Sequence, residues 1–544
     1  MVHILKFCKK YILKYKDLII LHIILFLLVT LTSIITPYIS GNFIDNLISN
    51  TNTLFIQKYI YIFVIIGLIE IFAGYFVEKL SCIIQTKVGN EINVSAIHHV
   101  QNLSLNFINE RDTSYLNKQI NNDSNMLALF CLLVPENIIL NLLTIIIPLM
   151  FIFNSNIYLG LFLIILNSLY FIIYNHLKEP MYSASYERNE ESANYFSKLD
   201  EQLRNTKFIQ TNGIEDSFVF RLNICSENLL KKLLKEQKIG HFFSSSGDIL
   251  KTISTIIVFT IGGFSVISET MSLGEFTIVF SYFVMCTSAI QYFFSLGEEI
   301  QQNRVYCDRL ESIFEEKIKT NGKIFIEKIE KIDCKNVSFN YGNVTVINNL
   351  NINLSRGKIY SLIGRNGAGK STLLNLILGI YVDEYNGLIS YNDIPLNLLD
   401  IKKMREKVIA VSEQEPLLLP ETLSFNLTLR ENTAVDIKEF NMLCEILNIK
   451  QLISSLPKGL DSLINDQSSN ISGGEKQKIS IIRALLKHPQ ILILDEPTSA
   501  MDKKSKINLC NYLNSIKKET IIILSTHDEE LLEICDETIC INKD

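Results

Sequence analysis

The chain lacks several features that would assign it to common functional classes. It has no basic excess, because 51 Lys and Arg residues stand against 57 Asp and Glu residues for a net charge of −6. A nucleic-acid partner needs a basic surface, so none is expected. The 11 cysteines are scattered, with no Cys-x-x-Cys pair and no metal-ligand spacing. We interpret them as reduced thiols, since neither a disulfide framework nor a metal motif fits that distribution.

Positive charge is also missing from three long stretches, residues 17–57, 119–177 and 252–303, which contain no Lys or Arg. A helix that crosses a bilayer needs roughly 20 mostly apolar residues. Six apolar runs of about that length lie in or beside these stretches, so we predict six membrane-spanning helices. The predicted spans are Leu18–Tyr38, Ile60–Leu80, Leu127–Phe151, Ile157–Tyr174, Ile249–Val266 and Phe276–Phe294.

The basic residues are concentrated in the long connections between the helical hairpins and in residues 1–16. Cytoplasmic segments of membrane proteins carry an excess of Lys and Arg, so both long connections and both termini are expected in the cytoplasm. The connections are too long for turns, and the spanning helices are predicted to continue into the cytosol. Residues 1–16 are predicted to form a basic amphipathic helix along the inner membrane surface.

Two acidic residues, Glu70 and Glu136, lie within predicted spans. Burying an ionisable group at membrane depth is costly, so each residue is by default a candidate for a substrate path. Two other interpretations stay open. Each acid either faces a water-filled cavity without selecting anything, or pairs with a polar neighbour.

From about Asp333 the pattern changes to short β-like runs separated by turns and helices. IYSLIG is followed by GRNGAGKST and the helix LLNLILG, and a strand, a Gly-rich loop and a helix in this order indicate a phosphate-binding loop. The glycines let backbone amides approach phosphates, Lys370 adds positive charge near the β and γ oxygens, and Ser371 offers a hydroxyl to Mg²⁺. The residues expected to contact the nucleotide here are Gly364, Arg365, Asn366, Gly367, Ala368, Gly369, Lys370, Ser371 and Thr372.

A second motif, ILILDEPTSAMD at residues 491–502, begins with four apolar residues typical of a buried parallel strand. Asp495 at the strand end suits a Mg²⁺ contact, and Glu496 is positioned to orient or deprotonate an attacking water. A further buried strand, Ile521–Leu524, ends near His527, which is a candidate contact for the γ-phosphate.

Together these motifs resemble an ATP-binding-cassette (ABC) ATPase fused behind a six-helix exporter domain. The resemblance covers essentially the whole chain, including NLSLNFINERDTSYLNKQINND, which is typical of exporter intracellular loops. It implies ATP and Mg²⁺ as cofactors. The resemblance also implies Walker A roles for Lys370, Ser371 and the loop glycines, and a Walker B role for Asp495. It implies that Glu496 is the catalytic carboxylate, Asp502 the D-loop acid and His527 the switch histidine. By the same resemblance, Gln414 (in VSEQEPLLLPETLSFNL) is the Q-loop contact to metal and water next to the membrane domain, and Tyr341 (in VSFNYGN) is the aromatic that stacks on adenine.

A second Gly-rich helix start, ISGGEKQ, resembles the family signature. Ser472 and Glu475 also have the spacing of a capping box, which any helix can use. Because the chain's own phosphate loop already holds ATP, this helix start is expected to offer amides and a hydroxyl to the γ-phosphate on a partner chain. Glu475 is then expected to reach back to its own helix amides. The signature residues are Ser472, Gly473, Gly474 and Glu475, with Glu where the family more often has Gln. The preceding stretch, INDQSS, lacks the glycines usual in exporters, and Asp466 stands in for the usual acid.

The predicted fold is multidomain. An all-α transmembrane domain of six helices (1–300) precedes a linker (301–330) and an α/β P-loop NTPase domain with a helical subdomain (331–544). One chain supplies six spans and one cassette, so the resemblance implies half of a transporter. Since the cassette keeps every catalytic element, a homodimer is the simpler assembly, and a heterodimer stays open.

The predicted function is ATP-driven export of a peptide or amphiphilic small molecule across a bacterial plasma membrane. A lipid flippase, a metal-chelate (siderophore) importer on the same scaffold, and a membrane ATPase that senses or regulates without moving cargo are the alternatives. A soluble cassette ATPase is excluded by the membrane half.

Overall fold

The computed structural model describes residues 1–49, 54–109, 111, 113–342, 344–365, 367–430, 435–464, 471–499 and 501–541. The chain divides into two compact units. The first comprises Met1–Leu103 and Ile108–Lys317, and the second comprises Ser104–Phe107 and Ile318–Asp544.

Helices make up the first unit, as its long apolar runs predict. Among the residues that the structure describes, six helical segments are long and apolar enough to cross a membrane, which confirms the predicted number of spans. The α-helices of the described residues are α1 (Val2–Ile12), α2 (Lys16–Ser49), α3 (Leu54–Gln101), α4 (Leu105–Asn109), α5 (Thr113–Ser155), α6 (Ile157–Arg204), α7 (Thr206–Asn212), α8 (Glu215–Ile267) and α9 (Leu273–Glu315).

The spanning helices are much longer than a bilayer requires. Helix α3 has 48 residues and α8 has 53, so at about 1.5 Å per residue each extends over more than about 70 Å, against about 30 Å of hydrocarbon. Each long connection contains a short break, and α7 ends at Gly213, whose φ of +60° is the left-handed conformation that stops a helix. The prediction that the spans continue as helices is confirmed.

The N-terminal segment is amphipathic. Ile4, Cys8 and Tyr11 are buried along one side of α1, while Lys6 and Lys10 are exposed. The spacing of four and three residues keeps the buried side chains on one helical face. The predicted amphipathic helix is therefore present, and its position on a membrane surface stays a prediction.

The segment predicted as a linker, residues 301–330, begins as helix. Helix α9 continues through Glu315, and the first strand of the second unit starts at Lys331. The α9 sequence stays helix-compatible because it has no Pro or Gly between residues 298 and 321.

The described residues of the second unit form three sheets. A four-stranded antiparallel sheet has the order β2-β1-β4-β5, a five-stranded parallel sheet has the order β11-β3-β10-β9-β6, and β7 pairs with β8. The strands are β1 (Lys331–Tyr341), β2 (Val344–Ser355), β3 (Ile359–Ile363), β4 (Tyr385–Tyr391), β5 (Ile394–Pro395), β6 (Ile409–Ser412), β7 (Glu421–Thr422), β8 (Leu463–Ile464), β9 (Ile491–Asp495), β10 (Ile521–Ser525) and β11 (Glu537–Cys540).

The parallel sheet lies between two apolar clusters. On β9, Ile491 and Ile493 pack into one cluster, and Leu492 and Leu494 pack into the other. Successive side chains of a strand point to opposite faces, so a strand covered on both faces is apolar at every position. The helices of this unit are α10 (Lys370–Ile377), α11 (Ile401–Lys407), α12 (Leu423–Thr428), α13 (Ile437–Ile446), α14 (Lys450–Ser455), α15 (Gly473–Leu485), α16 (Lys503–Ile516) and α17 (Glu529–Leu532).

The predicted fold class is confirmed, with an α-helical first unit and an α/β second unit. Helices α12 to α14 pack on one of the two clusters through Leu423, Phe440 and Leu452, and they form the predicted helical subdomain.

Candidate nucleotide-binding and hydrolysis site

Four loops converge at one edge of the parallel sheet. They follow β3, β6, β9 and β10, which lie side by side and run in the same direction. In open α/β sheets, ligands bind at the carboxyl ends of the strands. All the catalytic residues predicted from sequence lie in these four loops or at the start of α10.

The phosphate-binding loop adopts the backbone conformation that its glycines permit. Gly367 has φ +77° and Gly369 has φ +101°, and both values are unfavourable for other residues. Gly369 is the N-cap of α10 and provides no side-chain cap. The first amides of α10 are therefore left for an anionic ligand. Asn366, which was predicted to contact the nucleotide, lies outside the described residues.

Lys370 is already oriented by two contacts. Its Nζ donates to the carbonyl of Gly364 at 2.8 Å and lies 3.0 Å from Nε2 of His527. An ammonium group only donates, so Nε2 of His527 is placed to accept from Lys370. The contact joins the loops after β3 and β10, which brings the predicted γ-phosphate contact beside the predicted Walker A lysine.

Ser371 and Asp495 meet across the same edge. The Ser371 hydroxyl donates to Oδ2 of Asp495 at 3.3 Å. Hydroxyl and carboxylate oxygens are the hard donors that Mg²⁺ prefers. The residues present thus fit the predicted metal.

Two hydrogen bonds to neighbouring loops hold Glu496. Gln414 Nε2 donates to Glu496 Oε2 at 3.1 Å, and the Glu496 amide donates to the Ser525 carbonyl at 2.7 Å. Its φ of +44° lies in the left-handed region, where a residue with a side chain is strained. Backbone strain of this kind costs of order 1–3 kcal/mol and is concentrated at functional sites.

Gln477, a residue that the sequence analysis missed, also holds this loop. Its Nε2 donates to the Glu496 carbonyl at 2.6 Å, and the residue is 2% exposed. Gln477 belongs to α15, so the helix that carries the signature motif is tied directly to the loop of the predicted catalytic carboxylate. A polar residue on the apolar face of an amphipathic helix is the signal that could have found it.

The signature helix start forms a complete capping box. Oε2 of Glu475 accepts from the Ser472 amide and the Ser472 hydroxyl, each at 2.7 Å, and the Glu475 amide donates to Ser472 Oγ at 3.3 Å. The prediction that Glu475 reaches back to its own helix start is confirmed. Ser472 and Gly473 are exposed. Residues 465–470, including Asp466, lie outside the described residues.

Asp502 caps the next helix. Its carboxylate accepts from the Ser505 hydroxyl at 2.6 Å and from Lys478 Nζ at 2.9 Å. These two contacts, with Ser505 the stronger, hold the pKa of Asp502 well below its ordinary value. Asp502 is therefore charged and anchored to α15 through Lys478.

Tyr341 ends β1 and is 37% exposed as a residue. The Tyr341 hydroxyl lies 3.1 Å from the Tyr381 hydroxyl, and the two rings meet edge to face. A partly exposed, anchored ring offers a face for stacking. Tyr381 was not singled out from sequence, and burial raises its pKa above the ordinary tyrosine value.

The two intramembrane acids differ in environment. Glu136 on α5 contacts Nε2 of His22 on α2, and both side chains are buried. Glu136 is thus paired with a polar neighbour, one of the interpretations left open by the sequence. His22 was missed, although it is itself an ionisable residue in an apolar run. Glu70 is half-buried on α3.

Two family models match the chain. The model for the ABC transporter transmembrane region matches residues 19–290, half of the chain, and the ABC transporter model matches residues 347–499.

Full-length relatives are also found. A Rickettsia typhi protein, named as a candidate export ATP-binding/permease protein, is 27% identical over 98% of this chain and 93% of its own length. The ATP-dependent lipid A-core flippase of Haemophilus influenzae is 25% identical over 82% of this chain and 76% of its own length. A solved bacterial Atm1-family ABC exporter with ATP bound has the same fold, with a TM-score of 0.84 over 97% of this chain and 93% of that one at 17% identity.

Proposed function

The chain belongs to the ABC transporter family, and from that premise we propose that it exports a peptide or an amphiphilic small molecule across a bacterial plasma membrane as a homodimer. ATP hydrolysis coupled to transport is the activity of the family. The direction, the class of cargo and the assembly are the proposal. The observation that carries the cargo class is a cavity in the first unit.

The cavity has a volume of about 1470 Å³. This exceeds the roughly 300–1,000 Å³ of ordinary ligand pockets. Its lining comes from α5, α6 and α9, at or beyond the inner ends of the predicted spans. Tyrosines, amides and charges of both signs line it, including Tyr182, Tyr186, Tyr306, Gln301, Arg188 and Glu190.

This lining supports a cargo with both polar and aromatic or aliphatic parts that enters from the cytosol. Tyrosine rings present apolar faces with a polar tip, and amides donate and accept hydrogen bonds. A purely acyl cargo would leave these polar groups unpaired, which is costly. A lipid with a large polar headgroup is the second candidate, because the Haemophilus influenzae relative is named a lipid A-core flippase.

In the proposed hydrolytic step, Glu496 orients and deprotonates the attacking water. Gln414 fixes one carboxylate oxygen at 3.1 Å, so the other is left to accept from water. Lys370 and the open amides of α10 bind the β- and γ-phosphates, and His527 lies beside Lys370 to contact the γ-phosphate. Mg²⁺, held by Ser371 and Asp495, would neutralise charge on the phosphates.

Both termini and the ATPase unit are assigned to the cytoplasm, because the basic residues lie in the long connections and the N-terminal segment. In this scheme, ATP binding shifts the equilibrium between the open and closed states of the dimer. It favours a closed dimer because only that state presents both sets of phosphate contacts.

Glu496→Gln tests the hydrolytic role. The variant is expected to bind ATP normally and to hydrolyse it at least about 100-fold more slowly, which is the range for loss of a general base. Glu519→Gln, which removes an exposed carboxylate in the same unit, is the matched control and should hydrolyse ATP at the parental rate. Near-normal turnover of the Glu496 variant would remove Glu496 from its role.

The same pair of strains identifies the cargo. Compounds exported by intact cells are compared between parent and Glu496→Gln, and candidates are tested for ATP-dependent accumulation in inverted vesicles. Accumulation of a peptide or amphiphile inside the vesicles supports the proposal. Movement of a lipid between leaflets selects the flippase, uptake by right-side-out cells selects import, and no flux selects a regulator.

A further inference from the structure

Three side chains with metal-binding chemistry meet in the first unit, far from the ATP site in sequence. One ligand atom from each of His3, Cys307 and Glu311 lies within 4.8 Å of the other two. His3 Nδ1 is 4.0 Å from Cys307 Sγ, and His3 Nε2 is 3.3 Å from Glu311 Oε2. The imidazole of α1 therefore contacts both α9 side chains.

We propose that His3, Cys307 and Glu311 bind a divalent, borderline-soft metal ion of the Zn²⁺ class. Thiolate, imidazole and carboxylate are the three ligand types of protein zinc sites. Three protein ligands leave one position of a tetrahedron for water. None of the three residues is among those predicted to bind ATP.

The sequence hides this site because its ligands come from opposite ends of the first unit. Cys307 and Glu311 are four residues apart on α9, so they lie on one helical face. His3 is 304 residues from Cys307 in the chain. The sequence predicted no metal-ligand spacing among the cysteines. The proposed ligand set is instead made by packing α1 against α9, which no local spacing indicates.

To bring the three donor atoms to metal-binding distances, only the exposed His3 side chain has to rotate. Tetrahedral bond lengths of 2.0–2.3 Å place neighbouring donor atoms about 3.5 Å apart. The His3 side chain is 58% exposed, so its ring can turn one nitrogen toward both partners. Cys307 is fully buried on the other side. The metal thus has an entry path from water and an anchored sulfur, which are the features expected of a real site.

A neighbouring thiol provides a matched control. Cys8 is buried on α1 near Cys307, but its side chain interacts with Cys131 and it is not one of the clustered ligands. Exchanging Cys8 for Ser removes the same chemical group from the same helix pair. It should leave the metal ligands in place.

The consequence of binding is a link between the first and last helices of the first unit. Helix α1 carries one ligand and α9 carries two, so the ion ties α1 to the end of α9. Without the ion, the exposed His3–Glu311 contact holds α1 only weakly, because water and salt screen contacts between surface side chains. Metal binding is therefore expected to order the N-terminal helix.

The test titrates the tag-free full chain, in lipid nanodiscs and under reducing conditions, with Co²⁺ as a spectroscopic probe. One Co²⁺ per chain is expected, with a thiolate-to-cobalt charge-transfer band that Zn²⁺ abolishes by competition. Cys307→Ser should lose the band. His3→Ala and Glu311→Gln should weaken binding at least about 10-fold, which is the lower bound seen when even supporting groups are lost. Cys8→Ser should behave as the parent.

His3 is exposed, so His3→Ala keeps the test valid if Cys307→Ser fails to fold, and parental ATPase activity reports folding in every variant. Absence of the thiolate band in the parent overturns the proposal. Parental affinity in both His3→Ala and Glu311→Gln also overturns it. Loss of the band in Cys8→Ser overturns the ligand assignment.

Discussion

At the scale of single residues, the two glycine-flanked helix starts differ in how their first amides are satisfied. Helix α10 starts at Gly369 without a side-chain cap, whereas α15 starts with Ser472 and Glu475 capping each other. The uncapped N-terminus of α10 leaves its first amides available to a phosphate. The second start is satisfied in the free chain, and its carboxylate adds negative charge where the proposed γ-phosphate of a partner must approach.

Glu475→Gln is therefore expected to strengthen ATP binding. The amide oxygen of Gln can still accept from the Ser472 amide, but the like charge is removed. Helix N-terminal charges are worth about 0.3–1 kcal/mol, so the ATP concentration for half-maximal hydrolysis should fall about two- to fivefold. Glu475→Asp keeps the charge with a shorter reach and should show no such fall. An unchanged or higher half-maximal concentration in Glu475→Gln would contradict this.

At the scale of elements, Lys487 joins α15 to α11. It follows the last turn of α15, and its Nζ donates to the carbonyls of Arg405 on α11 and Ile409 on β6, the latter at 2.7 Å. A cation at a helix C-terminus is favourable. Burial nevertheless lowers the pKa of Lys487 to about 8, with Arg430 acting in the same direction.

This shift predicts a pH dependence of stability. Between about pH 8 and the ordinary lysine pKa of 10.5, the unfolded chain keeps a proton that folded Lys487 has released. The free energy of unfolding then rises with pH across this window through Lys487, because the unfolded state binds more protons. Lys487→Met should remove that rise, and Lys518→Met, at an exposed position, should retain it. Thermal unfolding midpoints from pH 7 to 10.5 compare the three proteins.

The His22–Glu136 pair links α2 to α5 inside the predicted membrane region. Removing one member leaves the other buried and unpaired, which costs about 3–5 kcal/mol for buried pairs. His22→Ala and Glu136→Ala should each lower the thermal unfolding midpoint of the detergent-solubilised protein. Replacing both His22 and Glu136 with Leu should recover most of the lost thermal stability, because the apolar side chains fill the same space.

Transport then separates the two roles of the pair. If it only holds the helices together, the double Leu variant regains both stability and ATP-dependent transport. If Glu136 handles cargo, stability returns and transport does not. Failure of the double variant to regain stability would show that the pair is not the reason for the losses.

At the scale of the whole molecule, the fold was predictable wherever a local pattern carries the information. Gaps in positive charge located the helical hairpins, and four consecutive apolar residues located β9. The contacts that depend on packing were not predictable. Gln477 meets Glu496, Tyr381 meets Tyr341, and His22 meets Glu136 only after distant segments come together. Residues 301–330 were predicted as a linker, and α9 continues into this segment as far as Glu315, because loss of apolar character marks the end of a span and not of a helix.

A hydrolytic site shared between two copies of the chain, as proposed, would require both copies to contribute to each site. The capped signature start lies exposed on α15, and the open phosphate loop starts α10. If each hydrolytic site uses the phosphate loop of one copy and the signature of another, two different defects can compensate each other. Lys370→Ala removes the loop cation, and Ser472→Arg blocks the signature. Each variant alone should be inactive, because both of its symmetric sites are damaged.

Co-expression of Lys370→Ala and Ser472→Arg should restore ATPase activity. In a mixed dimer, one site contains both defects and the other contains neither. With random pairing, half of the dimers are mixed and each has one intact site, so about one quarter of parental activity is expected if sites act independently. Lys370→Ala mixed with Glu496→Gln is the control. Both residues lie on the side of the site that includes the phosphate loop, so each chain of a mixed dimer damages its own site and no intact site remains. Recovery in the first mixture alone requires a dimer of identical chains with shared sites. No recovery in either mixture would mean that each chain completes its site with a different partner or by itself.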